Sequence, residues 1–262
     1  MSTARAEVIT PPDSVAHKVG YLAVDFNHDR GDASIGRHDR CSATVVARDV
    51  IVTAAHCVQD ERGHQVADDA VFFAPGWSSE RENPPFDAHW RSSEVLVHPK
   101  YSPDSDSDWA HTAYDVAYIV LEPRGDQSIG DVAGWVPMSP GAEDDSIRIM
   151  GYPKYAPEVE EAEEDEADSY YRPETCEETL AGVLRNESDP EGGILQARNV
   201  CSNLGGGASG GPIFIESANE WRLVGVNHGT YSTNGVNGTA GAALDATSLE
   251  LFEQAMDIGD EG

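Results

Sequence analysis

Asn203 to Phe214 reads NLGGGASGGPIF. Five glycines surround one serine, Ser209, and an apolar run follows at once. Glycine takes positive φ without steric cost, so such a run can form a stiff turn that exposes backbone N–H groups and aims them at one point. It can equally be a bend between two strands. The choice depends on whether the rest of the chain supplies a base, an orienting acid and a scaffold for both.

The scaffold signal is β. The 262 residues, 39% apolar, suffice for one large or two small cores. Short apolar runs alternate with Gly, Pro, Asp and Ser along most of the chain. They predict strands at Tyr21–Phe26, Ser42–Val46, Val50–Thr53, Val71–Ala74, Glu94–His98, Val116–Leu121, Ile147–Met150, Thr179–Leu184, Ile194–Val200, Pro212–Ile215, Leu223–Asn227 and Ala240–Leu244. Only near the C-terminus does helical spacing appear, in DATSLELFEQAM, with Leu249, Phe252 and Met256 on one face and Asp245 or Thr247 as cap. Many short strands and one terminal helix predict an all-β fold of barrels or sandwiches.

Charge excludes some partners. Forty-seven acids against 17 bases give −30, and the only lysines are Lys18, Lys100 and Lys154. The run Pro157 to Asp168, PEVEEAEEDEAD, reads as a solvated acidic loop, since its charges repel one another. Such a surface repels nucleic acid and anionic lipid. It also repels itself, and salt screens that repulsion. Acidic, lysine-poor composition resembles that of proteins from halophilic microbes, and salt adaptation is the expectation. No run reaches the ~18 apolar residues of a membrane span.

Four cysteines, Cys41, Cys57, Cys176 and Cys201, fit no zinc spacing and predict two disulfides, hence an oxidising compartment. The first residues, MSTARAEVITPPDS, carry no apolar signal core, and the expectation is a secreted protein with its signal trimmed.

Two further stretches bear on Ser209. SATVVARDVIVTAAHCV, Ser42 to Val58, predicts two strands and then a tight corner at Ala54 and Ala55 that carries His56. A Cys41–Cys57 bridge would clamp that corner, contributing about 3 kcal/mol in the chain-entropy account. TAYDVAYIVLEP, Thr112 to Pro123, sets Asp115 just before an apolar strand. Alone, an acid there is usually a turn residue; beside the other two stretches it reads as a carboxylate for an imidazole N–H.

TAAHC, YDVAYIVL and GASGGP together resemble the three signature segments of the chymotrypsin/trypsin-like serine endopeptidases, in that family's order of His, Asp, Ser. The likeness runs from Cys41 to the terminal helix. CSNLGGGASGGP is closer to the bacterial, V8-like or glutamyl-endopeptidase-type branch. Residues 1–18 read as an irregular arm or the remnant of a pro-segment. The resemblance implies two antiparallel six-stranded β-barrels: 19–125 a first barrel with His56 and Asp115, and 126–262 a second with Ser209, the acidic loop 156–168 and the C-terminal helix. It implies that Ser209 attacks the scissile carbonyl, that His56 carries the proton, that Asp115 holds the imidazole tautomer, and that the N–H groups of Gly207 and Ser209 face the oxyanion. It implies a Cys176–Cys201 bridge, no cofactor, no metal, and a peptide or protein substrate for a monomer. Activity should rise near the ordinary imidazole pKa of ~6.5.

Ala208 departs from the acid that animal members carry before the nucleophile, so their activation ion pair is not available here. For substrate binding, the resemblance points to Asn203, Asn227, His228 and Gly229. Asn203 argues against an Arg/Lys preference; His228 either pairs with a Glu or Asp side chain of the substrate or merely packs. His111, four residues before Asp115, reads as a surface residue. The competing functions are a catalytically silent binder on the same scaffold and a processing protease dedicated to one partner.

Overall fold

A computed structural model describes residues 7–8, 15–26, 39–77, 89–104, 108–141, 146–154, 173–217, 219–233 and 236–261. The acidic loop expected at 156–168 and most of the expected arm at 1–18 lie outside them.

The strands that pattern predicts are all present, several of them longer than expected. In chain order the elements are β1 (Glu7–Val8), β2 (Val19–Val24), β3 (Asp39–Val45), β4 (Val50–Thr53), β5 (Val71–Pro75), β6 (Trp90–Val97), α1 (Asp108–Ala113), β7 (Ala117–Leu121), α2 (Ile129–Ala133), β8 (Ser146–Gly151), β9 (Glu174–Asn186), β10 (Asp189–Ala197), β11 (Pro212–Ser217), β12 (Glu220–Thr233), β13 (Val236–Ala243) and α3 (Ala246–Glu261). One-turn 3-10 helices cover Ala16–Lys18 and Ala55–Cys57.

β2, β3, β4, β7, β6 and β5 close a barrel in that order, antiparallel throughout, with β5 pairing back onto β2. β4 and β7 are buried along their whole length, which is why VIVT and AYIVL read as continuous apolar runs rather than alternating ones. The second sheet runs β9-β10-β13-β12-β11-β8, β8 pairs again with β9, and β1 adds two residues to the edge of β9. The fold is thus all-β, two six-stranded antiparallel sheets with one C-terminal helix. Main-chain and side-chain hydrogen bonds cross the seam between them, and the candidate site lies there.

α3 departs in detail from the expected face. Its deepest residues are Ser248, Leu251 and Ala255, with Phe252 and Met256 beside them; Leu249 is half-buried. Phe252 packs on Tyr118 of β7, so the helix belongs with the first barrel although it follows the second in the chain. Asp245 is the cap: its carboxylate accepts the Ser248 N–H at 2.7 Å and the Ser248 hydroxyl accepts the Asp245 N–H at 2.8 Å. α1 and α2, six and five residues long, give no readable helical period.

Both expected disulfides form, Cys41–Cys57 and Cys176–Cys201.

Candidate active site

His56 sits in the single 3-10 turn that ends β4. Thr53, Ala54 and Ala55 before it are fully buried, and small side chains allow the chain to turn there against the second barrel. The Cys41–Cys57 bridge ties this turn to β3. Asp115 lies two residues before β7, the strand that pairs with β4, so both side chains come from one end of neighbouring strands. The His56 imidazole meets Asp115 with Nδ1 2.6 Å from Oδ2, and the His56 main-chain N–H donates to Oδ1 at 2.8 Å. The Asp115 side chain is 0% exposed and that of His56 28% exposed.

Burial alone would push the Asp115 carboxyl up, but the adjoining His56 charge and the N–H donors outweigh it and hold the group well below the usual carboxylate range. For His56, burial opposes the charged ring, and the Asp115 carboxylate more than offsets that, so its pKa is raised above 6.5. The midpoint expected from the motif alone therefore moves upward.

Ser209 stands in the turn that precedes β11, and the first barrel holds that turn in place. The Ser42 N–H donates to the Ser209 carbonyl at 2.7 Å, and the Ser42 hydroxyl donates to the Gly207 carbonyl at 2.9 Å while accepting the Tyr152 N–H at 2.8 Å. Gly210, at φ +81°, lies against Thr53 and the Ala54 N–H, which precede His56 by three and two residues. A side chain at Gly210 would strike Thr53 and the Ser42 carbonyl, and one at Gly207, at φ +95°, would come within 2.6 Å of the Tyr152 carbonyl. Positive φ and close approach together require glycine at both positions. The Cys176–Cys201 bridge anchors the loop where it begins.

The N–H groups of Ala208, Gly210 and Gly211 are spent on the carbonyls of Gly205, Asn227 and Ala208. Those of Gly207 and Ser209 have no partner among the described residues. The Ser209 hydroxyl donates to the His228 carbonyl at 3.2 Å.

The residues marked for substrate contact separate into two groups. Asn227 is only 1% exposed, and its amide donates to the Ala208 carbonyl at 3.0 Å, bracing the glycine turn from beneath. His228 turns toward Asp115, with Nδ1 2.6 Å from Oδ2. Asn203 and Gly229 are half-exposed, and nothing lies within 4 Å of where a Gly229 side chain would start. His111, expected to be a surface residue, is half-buried and edge-on to His228 at 5.0 Å between ring centres. Pattern reading missed Ser42, Thr53 and Tyr152, whose contacts join elements remote in the chain and carry no local signal.

Two groups of three ligand-type side chains come together among the described residues, Cys41 with His56 and Cys57, and His56 with Asp115 and His228. In the first both sulfurs are in the disulfide; in the second the contacts are imidazole-to-carboxylate hydrogen bonds. Neither is read as a metal site.

Two six-stranded antiparallel β sheets thus meet at a seam that holds these groups. The chain belongs to the trypsin family, whose model matches residues 22–248. Among solved structures it is similar to the protease Anisep from Arthrobacter nicotinovorans, with a TM-score of 0.68, 19% identity and coverage of 95% of this chain and 98% of that one. It is also similar to the thermostable serine protease AL20 from an extremophilic microorganism, with a TM-score of 0.65, 20% identity and coverage of 92% and 98%. A Glu endopeptidase gives a TM-score of 0.64, 19% identity and coverage of 98% of both chains. Venom serine protease 34 of Apis mellifera is 33% identical over 94 residues, 36% of this chain and 22% of that protein.

Proposed function

We propose that the protein is a serine endopeptidase of peptide or protein substrates working through Ser209, His56 and Asp115. The observation that carries this is the wholly buried Asp115 carboxylate held to His56 Nδ1 at 2.6 Å, together with a serine turn in which two N–H groups have no partner among the described residues. With its Nδ1–H given to Asp115, neutral His56 has its Nε2 lone pair free to accept a proton. The Ser209 hydroxyl swings from the His228 carbonyl to Nε2 as substrate binds; such contacts commonly tighten only in the substrate complex. Oγ then attacks the scissile carbonyl carbon, its proton passes to Nε2, and the carbonyl oxygen takes the charge facing the Gly207 and Ser209 N–H groups. Collapse breaks the C–N bond, and the proton on Nε2 goes to the leaving amine. Water, deprotonated by His56, releases the acid from Ser209 in the same manner.

A serine-directed fluorophosphonate tests the assignment. It should label the protein at Ser209 and fail to label Ser209→Ala; an unlabelled wild-type protein favours the silent binder.

The base must be neutral to act, and Asp115 favours its charged form. kcat/KM is therefore expected to rise with pH through a midpoint above 6.5. A midpoint below 6.5 in the pH profile contradicts this.

Two disulfides suit a protein made for an oxidising compartment, and secretion is the matching location. A preference for Glu or Asp at the primary position is the narrower reading, in keeping with the V8-like, glutamyl-endopeptidase-type branch. It draws on His228, whose side chain is 20% exposed, and on the likeness to a Glu endopeptidase. With Nδ1 on Asp115, only Nε2 remains to meet a substrate carboxylate. Fluorogenic peptides differing at that one residue should show faster cleavage after Glu or Asp; preference for Phe or Leu removes this reading.

A further inference from the structure

Asp115 holds two imidazoles. Its Oδ2 lies 2.6 Å from Nδ1 of His56 and 2.6 Å from Nδ1 of His228. The two rings stand edge to face, 5.3 Å apart at 78°. His228 reaches this position through a register shift in the pairing of β12 with β13: Asn227 pairs with Gly241 and Gly229 with Ala240, which leaves His228 without a cross-strand partner. An unpaired residue at such an irregularity bends the strand and re-aims its side chain. Here the ring meets Asp115, and the carbonyl of the same residue accepts the Ser209 hydroxyl at 3.2 Å.

We propose that His228 is a positioning residue gripping both ends of the triad, its Nδ1–H holding Asp115 and its carbonyl parking Ser209, and that its protonation adds a second proton to the acid shut-off of the enzyme. This rests on the Ser209–His56–Asp115 reading above. Neutral His228 donates from Nδ1 and carries a lone pair on Nε2. Its protonation at Nε2 sets an imidazolium against Asp115 and beside His56. One carboxylate charge must then serve two cations, so the imidazolium that His56 forms in the transition state loses stabilisation. Histidine is the side chain whose charge changes most readily within the range where proteases act.

Among the described residues, three titratable side chains face His228. Asp115 and His56 come from the first barrel, and His111 from α1. Tyr101 packs against His111 at 5.8 Å, and burial together with the Asp115 charge keeps its phenol protonated. His111 is therefore the other candidate for the second proton.

The test uses a peptide with an uncharged primary residue, so that no substrate carboxylate engages Nε2. In wild type the acid limb of kcat/KM should fall about a hundredfold per pH unit. His228→Asn keeps an N–H donor at the place of Nδ1 but does not titrate; its acid limb should fall only tenfold per unit. His228→Leu should lower kcat at the optimum about tenfold with little change in KM, and Asn should restore most of that loss. His111→Gln should retain the hundredfold limb. A tenfold limb in wild type, a hundredfold limb in His228→Asn, or loss of the steep limb in His111→Gln overturns the proposal. Proton NMR of the resting protein separates this from the catalytic reading: two low-field imidazole N–H signals are expected, one of them lost in His228→Asn. A single signal in wild type overturns the grip on Asp115 whether or not the protein cleaves peptides.

Discussion

Ser209→Ala is expected to lower kcat about a million-fold while leaving the fold and KM almost unchanged. The substitution removes one atom, Oγ, whose hydrogen bond in the structure is to the His228 carbonyl. The bonds that hold the loop are main-chain bonds or belong to other residues: Ser42 N–H to the Ser209 carbonyl, Gly210 N–H to the Asn227 carbonyl, Asn227 N–H to the Gly211 carbonyl. Alanine leaves all of them in place. The unspent N–H pair also survives, so a residual rate above that in water should remain, of the order of a thousandfold. Kinetics on a fluorogenic peptide, with thermal melting as control, decide the matter. A variant that keeps more than a hundredth of the activity cannot be a serine enzyme acting through this residue.

Asp115→Asn is expected to cost about ten-thousandfold in kcat and to lower the melting temperature as well. The carboxylate accepts three N–H groups, from the His56 ring, the His56 main chain and the His228 ring, with no exposure to water. An amide has one oxygen. Whichever way it turns, its NH2 opposes at least one of those donors. Facing His56 Nδ1, it would pull the ring into the tautomer with hydrogen on Nε2, which cannot accept the Ser209 proton. Facing the His56 main chain, it leaves a buried N–H unpaired, a loss of about 1–3 kcal/mol. His56 also loses the charge that raises its pKa, so whatever activity remains should have its midpoint shifted to lower pH than in wild type. An Asn variant within tenfold of wild type would show that the carboxylate is only structural.

The fold was legible because barrel strands obey short-range rules. β4 matches its expected span, Val50–Thr53, since four consecutive apolar or β-branched residues between turn signals have few other uses. β9 and β12 extend well beyond their expected spans. β9 runs from Glu174 to Asn186 through an irregular mix of buried and exposed residues, and its ends are held by pairing with β8 and β10, which local composition does not encode. The Asp245 cap of α3 was visible as a residue type; that the helix packs on the first barrel was not.

The site divides in the same way. His56 at a small-residue corner, Asp115 at the mouth of an apolar strand and Ser209 among glycines are each written in a few consecutive letters. So is the need for glycine at Gly207 and Gly210, because the backbone conformation of a tight turn depends on side-chain sterics at the turn itself. Only the closed barrels decide that Ser42 props the loop of Ser209, that Asn227 lies beneath it rather than facing solvent, and that His228 shares Asp115 with His56. Those contacts join residues 19 to 165 positions apart, and they depend on strand register. In a strand a slip of one residue turns every side chain to the opposite face. The chain sequence names the chemical groups; the pairing of β12 with β13 and the packing of one barrel on the other determine which of them meet.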